Sequence, residues 1–519
     1  MKVCLINPPN IWGRPEGYEW SENFSTLPYL GIAYIASYLA EKGFEADIYD
    51  CPGQNITLEE LICILAVYKY EMIGISMFYY NYINANIIIN TVKSMHPDTF
   101  IFAGGYFATL SCKTVLNSNN KIDCCVLGEG EFTVENIVRA IADKKDWRSL
   151  SNIAYKAGDI VNFNEIKPLL YLDKLPFPQR SFVENKAGIV SILTSRGCYG
   201  KCSFCSEEEF SLINGTKGIR YRSVADVANE IELLIKLYKP RMIRINDSDF
   251  CDSSVSRKKW LVEFYQEMNK RNLHIKMIAN TRANDVIRNR EEIELLKELG
   301  LDTLFIGIES FIQRQLDLYN KKITVEQNIQ SLSIISELGM KAEIGFMIFE
   351  PFTTIDEVIE NLSTIKDIGV AEFLGAGQDL PSMASCYIPI EGTRLYDFLK
   401  KNELLKDNQL GYEFQDDSVK LLYDIIGDWK LKLKPVLDNK YILHKAIALG
   451  DKMCEEELLM WFRELYSFDV DFLLEAAELI KNNVIGINDF RWFTGQKESE
   501  LETINVRYHE ALENAKIMG

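Results

Sequence analysis

Apolar positions in the first 143 residues alternate between short continuous runs and longer runs with an apolar residue every three to four positions. The short runs are typical of buried strands and the longer ones of amphipathic helices. Strand and helix patterns that alternate in this way predict a parallel sheet, with its ligand-binding loops at the carboxyl ends of the strands. The predicted strands are 2–7, 45–49, 72–77, 100–103 and 123–127, and the predicted helices are 28–42, 58–70, 81–95 and 131–142.

The same alternation returns after residue 187. Residues 144–187 follow neither pattern, and Leu175-Pro176-Phe177-Pro178 favours an extended linker. From 188 to 405, strand and helix patterns alternate five times, with a less clear sixth unit at 371–374, which suits a partial barrel. The predicted strands are 189–194, 241–246, 274–279, 303–308 and 343–348, and the helices are 224–239, 257–271, 291–299, 325–338 and 355–368.

Strand patterns fade after residue 405, and helical periodicity follows at 418–426, 440–449, 455–468, 471–481 and 498–518. The predicted protein is of the α/β class. It has an N-terminal doubly wound, Rossmann-like sheet (1–143), a linker (144–187), a partial (β/α)6 barrel (188–405) and a helical C-terminal domain (406–519). Aromatic residues at helical spacing more often belong to a hydrophobic core than to the lining of a pocket, and we expect this of the aromatic residues in the last domain. These residues are Trp429, Trp461, Phe462, Trp492 and Phe493.

Composition narrows the classes of function. The chain has 519 residues, and 57 Lys and Arg against 75 Asp and Glu give a net charge of −18, which argues against a nucleic-acid partner. No run of about 18 uncharged apolar residues predicts a membrane span, and the opening residues lack a secretory pattern. We therefore expect a cytoplasmic, reducing compartment, in which the twelve cysteines are thiols.

Three of these cysteines, Cys198, Cys202 and Cys205, lie within eight residues, directly after the first strand of the barrel-like region. Gly197 and Gly200 allow the backbone to wrap closely around a metal group. Thiolates are the usual ligands of iron–sulfur clusters, and three ligands leave one iron open to another molecule. A structural zinc site needs four ligands, which a distant Cys251 would complete. The residues alone thus leave open both a redox cluster and a zinc-stabilised binding protein.

The spacing Cys198-x3-Cys202-x2-Cys205, with Phe204 inside it, resembles the signature of the radical S-adenosylmethionine (SAM) superfamily. The resemblance extends over about 188–405, where segments after successive strands are similar to family segments: 246–250, 281–282, 307–310, 344–347 and 389–396. It implies that the three cysteines hold a 4Fe-4S cluster and that SAM is bound by Phe204, Asp247, Arg282 and Glu309. Taken alone, each polar residue also has a structural explanation: Asp247 as a helix cap, Glu309 as a salt-bridged residue at the barrel rim, and Arg282 as a surface ion-pair residue. Relatives often carry glycines where this chain has Phe349 and Phe352, so no binding role is expected at that turn.

The first 143 residues resemble the branch of that superfamily with an N-terminal cobalamin-binding domain. The resembling segments are 7–9, 27–34, 74–76, 103–106 and 127–131. The resemblance implies cobalamin contacts from Ser76, Gly104, Gly105, Gly128, Glu129 and Gly130. The alternative to a cobalamin contact is that Glu129 places a favourable negative charge at the N-terminus of a helix. The single histidine of this region, His96, does not fit an Asp-x-His-x-x-Gly motif, so we expect the cobalt to lack a protein histidine ligand.

The resemblance implies an anaerobic radical methyltransferase that acts on an unactivated carbon or a phosphinate phosphorus. A 5′-deoxyadenosyl radical would abstract a hydrogen atom from the substrate, and methylcobalamin would donate the methyl group. In the alternative, the same radical drives cyclisation, ring rearrangement, C–C coupling or oxidation, with cobalamin absent or not donating methyl. The expected partners are a small-molecule or peptide substrate and an electron donor such as flavodoxin or ferredoxin.

Overall fold

The structure is a computed structural model that describes residues 1–10, 27–168, 171–182, 188–384, 386–406, 411–437, 452–486 and 489–517. The chain divides into two compact units. The first comprises Met1–Gly200, Cys205–Tyr238 and Ile390–Thr393, and the second comprises Lys201–Phe204, Lys239–Pro389 and Arg394–Gly519. These units cut across the predicted domain boundaries at 143, 187 and 405, which stay predictions.

The first unit contains a seven-stranded sheet in the order β2-β1-β3-β4-β5-β6-β7. Strands β1 to β5 are parallel, as the alternating pattern predicts. The strands are β1 (Val3–Asn7), β2 (Ala46–Asp50), β3 (Met72–Ser76), β4 (Phe100–Gly104), β5 (Cys124–Val126), β6 (Ile153–Ala157) and β7 (Ile160–Phe163). The helices beside them are α1 (Leu30–Glu41), α2 (Cys51–Gln54), α3 (Leu58–Val67), α4 (Tyr82–Met95), α5 (Gly105–Leu110), α6 (Cys112–Ser118) and α7 (Glu131–Ala142).

The central strands of this sheet are buried on both faces. Cys4 and Ile6 of β1 belong to one hydrophobic cluster, whereas Val3 and Leu5 belong to another. Side chains of a strand alternate between faces, so a strand covered by helices on both sides needs apolar residues at every position. The continuous apolar runs in the sequence are therefore a consequence of this two-sided burial.

Strands β6 and β7 form an antiparallel hairpin inside the segment expected to be a linker, so that expectation is wrong for residues 153–163. Gly158 turns the hairpin with φ 61°, and Trp147 covers it, with its ring 5.6 Å from that of Tyr155. The hairpin is short, and most of its side chains are partly or fully exposed. It therefore lacks the buried apolar run that reveals the other strands.

The first unit continues with β8 (Ile189–Ile192) and a two-residue antiparallel pair, β9 (Ser195–Arg196) and β10 (Arg220–Tyr221). Its helices in this part are α8 (Ser206–Ile213) and α9 (Val224–Tyr238). The cysteine-bearing segment begins directly after β9.

Within the second unit, four of the predicted barrel strands form a parallel sheet. They are β11 (Met242–Ile245), β12 (Lys276–Arg282), β13 (Leu301–Glu309) and β14 (Lys341–Phe346). The helices are α10 (Val255–Lys270), α11 (Ala283–Arg288), α12 (Arg290–Leu299), α13 (Gln313–Leu318), α14 (Val325–Glu337), α15 (Ile355–Ile368), α16 (Pro381–Ala384) and α17 (Arg394–Lys401).

The less clear sixth unit predicted at residues 371–374 does not form a strand. Residues Val370–Phe373 are a 3-10 helix, and only Leu374 makes a single parallel bridge to Ala342 of β14. Gly369, with φ 68°, ends α15 and leads directly into this turn. The chain therefore meets the sheet edge at one residue and then leaves it.

The C-terminal region is helical, as predicted, with α18 (Asp417–Leu437), α19 (Lys452–Lys481) and α20 (Phe490–Ile517). The helices expected at 455–468 and 471–481 are one continuous helix, and the helix expected at 440–449 lies outside the described residues. Four of the five aromatic residues noted in this region are buried core, and Trp492 is 61% exposed. In the part of the chain that the structure describes, no helix combines the length and the apolar character that crossing a membrane requires.

Candidate functional site

The cysteine segment begins at a turn that only glycine can occupy. Gly197 has φ 97°, and a Cβ atom there would collide with the backbone oxygen of Gly218. After this turn, the Cys198 sulfur accepts a hydrogen bond from the backbone N–H of Gly200 at 3.3 Å. Cys205 is the N-cap residue of α8, where the helix dipole favours a negatively charged ligand. Both outer cysteines of the motif are thus held by local backbone geometry in the first unit.

The middle of the segment, residues 201–204, is anchored in the second unit. The Ser203 N–H donates to the carbonyl oxygen of Tyr319 at 2.9 Å, and the Leu395 N–H donates to the Ser203 carbonyl at 2.8 Å. The ring of Phe204, expected to contact SAM, lies 5.5 Å from that of Tyr319 in an edge-to-face arrangement. These contacts fix the backbone at Ser203, the residue directly after Cys202.

Arg282 lies at the carboxyl end of β12, where the sequence places it, but its guanidinium contacts a cysteine. Its Nη1 donates to the Cys202 sulfur at 3.2 Å, and its Nη2 donates to the carbonyl oxygen of Lys321 at 2.6 Å. Cys202 and Arg282 are 7% and 8% exposed, so water does not screen this contact effectively.

Glu309 ends β13 with φ 64°, a left-handed conformation that is unfavourable for glutamate. Its Oε1 lies 2.7 Å from Lys321 Nζ in a buried ion pair. A Cβ atom at Gly307 would lie 2.6 Å from that same Nζ, so the glycine makes room for the pair. Sequence reasoning missed Lys321, because it follows a short helix and no strand end marks it.

Asp247, also expected to contact SAM, has its carboxylate 3.3 Å from Arg257 Nη2, and both side chains are fully buried. The Arg257 guanidinium stacks over Trp260, 4.1 Å from the ring centroid. The Asp247 side chain therefore belongs to a buried ion pair on the helix side of the sheet.

Asp249, two residues further on, is buried close to Asp285. Burial raises the pKa of the Asp249 carboxyl well above its ordinary value, and the charge of Asp285 raises it further, against the opposing charge of Arg282. The Thr281 hydroxyl donates to Asp249 Oδ1 at 3.1 Å. The Asp249 carboxyl, at the carboxyl end of β11, therefore favours its protonated form.

At the carboxyl edge of the first unit's sheet, the strand order reverses between β1 and β3, the position at which such sheets bind ligands. Ser76 ends β3. The neighbouring Gly105 has φ 89°, and a Cβ atom there would be crowded, because it would lie only 3.1 Å from Ser76 Oγ. A Cβ at Gly104 would meet only Val126 among the described residues, at 4.0 Å, which is an ordinary van der Waals distance. Asp50, which sequence reasoning missed, lies at the same edge and accepts a hydrogen bond from Asn7 at 2.8 Å.

The turn after β5 is occupied by protein rather than open. A Cβ at Gly128 would collide with the Asn214 side chain, whose Oδ1 accepts the Glu129 N–H at 3.1 Å. Glu129 is paired with Arg196 at 3.2 Å and with Arg220 at 2.6 Å. Burial by itself would raise the pKa of Glu129, but these two guanidinium groups outweigh it and hold the pKa below its ordinary value. The ion pairs favour a structural role for Glu129, and its cobalamin contact stays a prediction, as does that of Gly130.

His96 follows α4 and precedes β4, so it lies at the amino end of that strand. Its Nε2 is 3.3 Å from the carbonyl oxygen of Leu65. Gly104 and Gly105 lie at the opposite, carboxyl end of the same strand. His96 is therefore remote from the edge at which a ligand of this sheet would bind.

Among the described residues, no three His, Cys, Asp or Glu side chains converge on the position of a single metal ion. The donor chemistry nevertheless fits an iron–sulfur cluster, because three thiols share one glycine-constrained segment and one of them already receives a guanidinium hydrogen bond. The absence of any close contact to a Cβ at Gly104, among the described residues, likewise fits the approach of a large planar cofactor.

Comparison with known proteins identifies two domains. Residues 24–138 match the B12 binding domain model, and residues 192–365 match the Radical SAM superfamily model. An uncharacterized methyltransferase of Pyrococcus horikoshii is 28% identical, over 78% of this chain and 84% of its own. The anaerobic magnesium-protoporphyrin IX monomethyl ester cyclase of Rubrivivax gelatinosus is 27% identical, over 71% of this chain and 66% of its own.

Among solved structures, the fold is similar to that of OxsB, a cobalamin-dependent SAM radical enzyme solved with aqua-cobalamin and SAM bound. The TM-score is 0.72 at 18% identity, over 99% of this chain and 80% of OxsB. The match to the Radical SAM model decides against a zinc-stabilised binding protein. The chain belongs to the cobalamin-dependent branch of the radical SAM superfamily, and it is an enzyme whose cofactors are a 4Fe-4S cluster, SAM and cobalamin.

Proposed function

We propose that this enzyme transfers a methyl group from SAM, by way of cobalamin, to an unactivated carbon or a phosphinate phosphorus of its substrate. The observation that carries the proposal is the succession of a B12 binding domain and a radical SAM domain in one chain. A relative named a methyltransferase, similar over 84% of its own length, supports the same reaction.

In this proposal the cluster is held by Cys198, Cys202 and Cys205. When bound, the cluster and SAM supply a 5′-deoxyadenosyl radical, and cobalamin supplies the methyl group. The chain's own contribution is to fix the three sulfurs through the Gly197 turn and the anchored backbone at Ser203. Burial of Cys202 keeps water away from the reactive centre, which protects a substrate radical from side reactions.

For SAM, we propose Glu309 as the main polar contact, because Lys321 holds its carboxylate in one orientation at the end of β13. Phe204 supplies an apolar surface beside the cysteines. Asp247 is engaged with Arg257, and we assign it the supporting role of fixing the end of β11. Arg282 is directed at Cys202 and is discussed below.

For cobalamin, we propose the carboxyl edge of the first unit's sheet, with Ser76, Gly104 and Gly105 as the contacts. The support is that a Cβ at Gly104 would have no described neighbour nearer than 4.0 Å, and that these residues lie beside the reversal of strand order. Because His96 lies at the other end of β4, we propose that the cobalt has no histidine ligand from this domain.

The second candidate is a radical reaction without methyl transfer, such as cyclisation or ring rearrangement. The observation in its favour is the similarity to a relative named a cyclase, at 27% identity. Under either candidate, we propose a small-molecule or peptide substrate and reduction by a flavodoxin or ferredoxin. We also propose a reducing, cytoplasmic setting, in which the cysteines stay thiols.

The deciding experiment uses SAM with a deuterated methyl group. Reconstituted, cobalamin-loaded protein is incubated under anaerobic conditions with the small-molecule extract of a strain lacking its gene, and products are followed by mass spectrometry. Protein-dependent appearance of a product carrying the labelled methyl group is the expected result. If 5′-deoxyadenosine is released and an extract component is consumed without gaining the label, methyl transfer is wrong and the second candidate replaces it.

A further inference from the structure

We propose that Arg282 is a positioning residue for the iron–sulfur cluster: its guanidinium hydrogen bond to the Cys202 sulfur stabilises the reduced cluster and raises its midpoint potential. This inference rests on the proposed function, since it requires Cys202 to be a cluster ligand. It differs from the role that the sequence motif implies for Arg282, which is contact with SAM.

The contact is direct and within one compact unit. Arg282 Nη1 lies 3.2 Å from the Cys202 sulfur, within hydrogen-bond distance for a sulfur acceptor. Residues 202 and 282 are 80 positions apart in the chain, so the end of β12 delivers the guanidinium to the cysteine.

A second hydrogen bond fixes the orientation of the guanidinium. Arg282 Nη2 donates to the carbonyl oxygen of Lys321 at 2.6 Å, while Lys321 Nζ holds Glu309 at 2.7 Å. Because the guanidinium group is planar, engaging both terminal nitrogens leaves it little freedom to turn toward another ligand. Lys321 thus connects the cysteine-facing arginine to the glutamate at the end of β13.

The effect on the cluster follows from electrostatics. Reduction of a 4Fe-4S cluster from the 2+ to the 1+ state adds one electron, and its negative charge spreads onto the ligand sulfurs. A fixed positive charge and a hydrogen bond at one sulfur favour the more negative state, and hydrogen bonds to ligand sulfurs are a known determinant of cluster potential. Burial of both side chains strengthens the effect, because a low local dielectric screens charges less than water does.

The test is a reductive titration of the reconstituted protein, with the reduced cluster followed by electron paramagnetic resonance and the iron content of each sample counted. Arg282→Gln keeps a hydrogen-bond donor and removes the charge, whereas Arg282→Met removes both. We expect the midpoint to shift to more negative potential in the glutamine variant and further in the methionine variant. Arg288→Met, which removes an exposed arginine six residues later, should leave the midpoint at the wild-type value.

The proposal is overturned if Arg282→Met binds the full complement of iron and has the wild-type midpoint. It is equally overturned if the methionine variant keeps that midpoint and loses affinity for SAM, since the arginine would then serve SAM. If Arg282→Met does not bind iron, the glutamine variant decides: a more negative midpoint supports the role, and an unchanged one rejects it. The cluster assignment fails separately, if Cys202→Ala retains a 4Fe-4S cluster.

Discussion

Arg196 Nη2 donates a hydrogen bond to Glu131 Oε1 at 2.6 Å, and the same guanidinium lies 3.2 Å from Glu129. Arg196 is two residues before Cys198, and the two glutamates follow β5 of the B12 binding domain. Within the first unit, this contact joins the start of the cysteine segment to the turn after β5. Arg220, from the strand paired with Arg196, completes the contact by binding Glu129.

Replacing Arg196 by methionine removes the shared cation and leaves Glu131 buried without this partner. Breaking a buried ion pair at one side costs about 3–5 kcal/mol, so we expect a lower melting temperature for the first unit and less iron per chain after reconstitution. Thermal unfolding and iron counting measure the two effects.

The double variant Arg196→Met/Glu131→Gln is the control for this prediction. The second substitution removes the charge of Glu131 and should recover part of the lost stability, since a neutral amide tolerates burial better than an isolated carboxylate does. Equal stability of the single and double variants would show that the ion pair does not hold the turn.

Gly197→Ala should prevent correct formation of the cysteine segment. The new Cβ would collide with the backbone oxygen of Gly218, in addition to the cost of about 1–2 kcal/mol for a left-handed φ. Gly218→Ala is the matched control, because it has φ 68° but no atom within 4 Å of its Cβ. Iron content after reconstitution should fall strongly in the first variant and little in the second; comparable losses would mean that the backbone strain, and not the collision, is decisive.

Cys202→Ala should abolish both the iron–sulfur absorption and the release of 5′-deoxyadenosine from SAM. Cys251→Ala should retain both, at a cost of about 1 kcal/mol for a small cavity, because Cys251 is fully buried in the core of the second unit. Absorption spectra and product chromatography provide the comparison. Loss of the cluster in the Cys251 variant would make that cysteine a ligand and contradict the three-cysteine assignment.

Asp249→Asn should make stability less dependent on pH. An acid whose folded-state pKa is raised keeps its proton in the folded protein, so its contribution is complete below about pH 3.8 and is lost as pH rises through the folded-state pKa. The advantage of the asparagine variant should therefore grow as pH rises above about 3.8, by a total of about 1.4 kcal/mol for each unit by which the pKa is raised. Melting temperatures at a series of pH values measure it.

Asp98→Asn serves as the control for that titration, because Asp98 is exposed. Its difference from wild type should stay constant over the same range. A constant difference for Asp249→Asn as well would mean that the pKa of Asp249 is not raised in the folded protein.

Gly104→Ala should weaken cobalamin retention without destabilising the fold. The new methyl group would meet only Val126 among the described residues, at an ordinary distance of 4.0 Å, so we attribute any effect to a ligand that approaches the backbone there. Gly427→Ala, whose methyl group has no neighbour within 4 Å and lies in α18, is the control. Equilibrium dialysis with cobalamin compares them; unchanged retention in the Gly104 variant would move the cofactor away from this edge.

The sequence by itself determined the parallel strands and most helix ends. The all-apolar β1 and β3 could be found because burial on two faces imposes apolar residues at every position, and the end of α1 was marked by Gly43, which adopts φ 84°. The cysteine motif was equally visible, because its residues are local in the chain.

Tertiary structure decided what those residues touch. Arg282 lies at the predicted strand end, yet its partners Cys202 and Lys321 are 80 and 39 positions away in the chain. Glu129 likewise pairs with Arg220, which is 91 positions away. The hairpin at 153–163 and the single bridge at Leu374 depend on edges of sheets that form only after folding. Local patterns report burial and backbone preference, whereas the pairing of buried charges depends on distances that only the folded chain establishes.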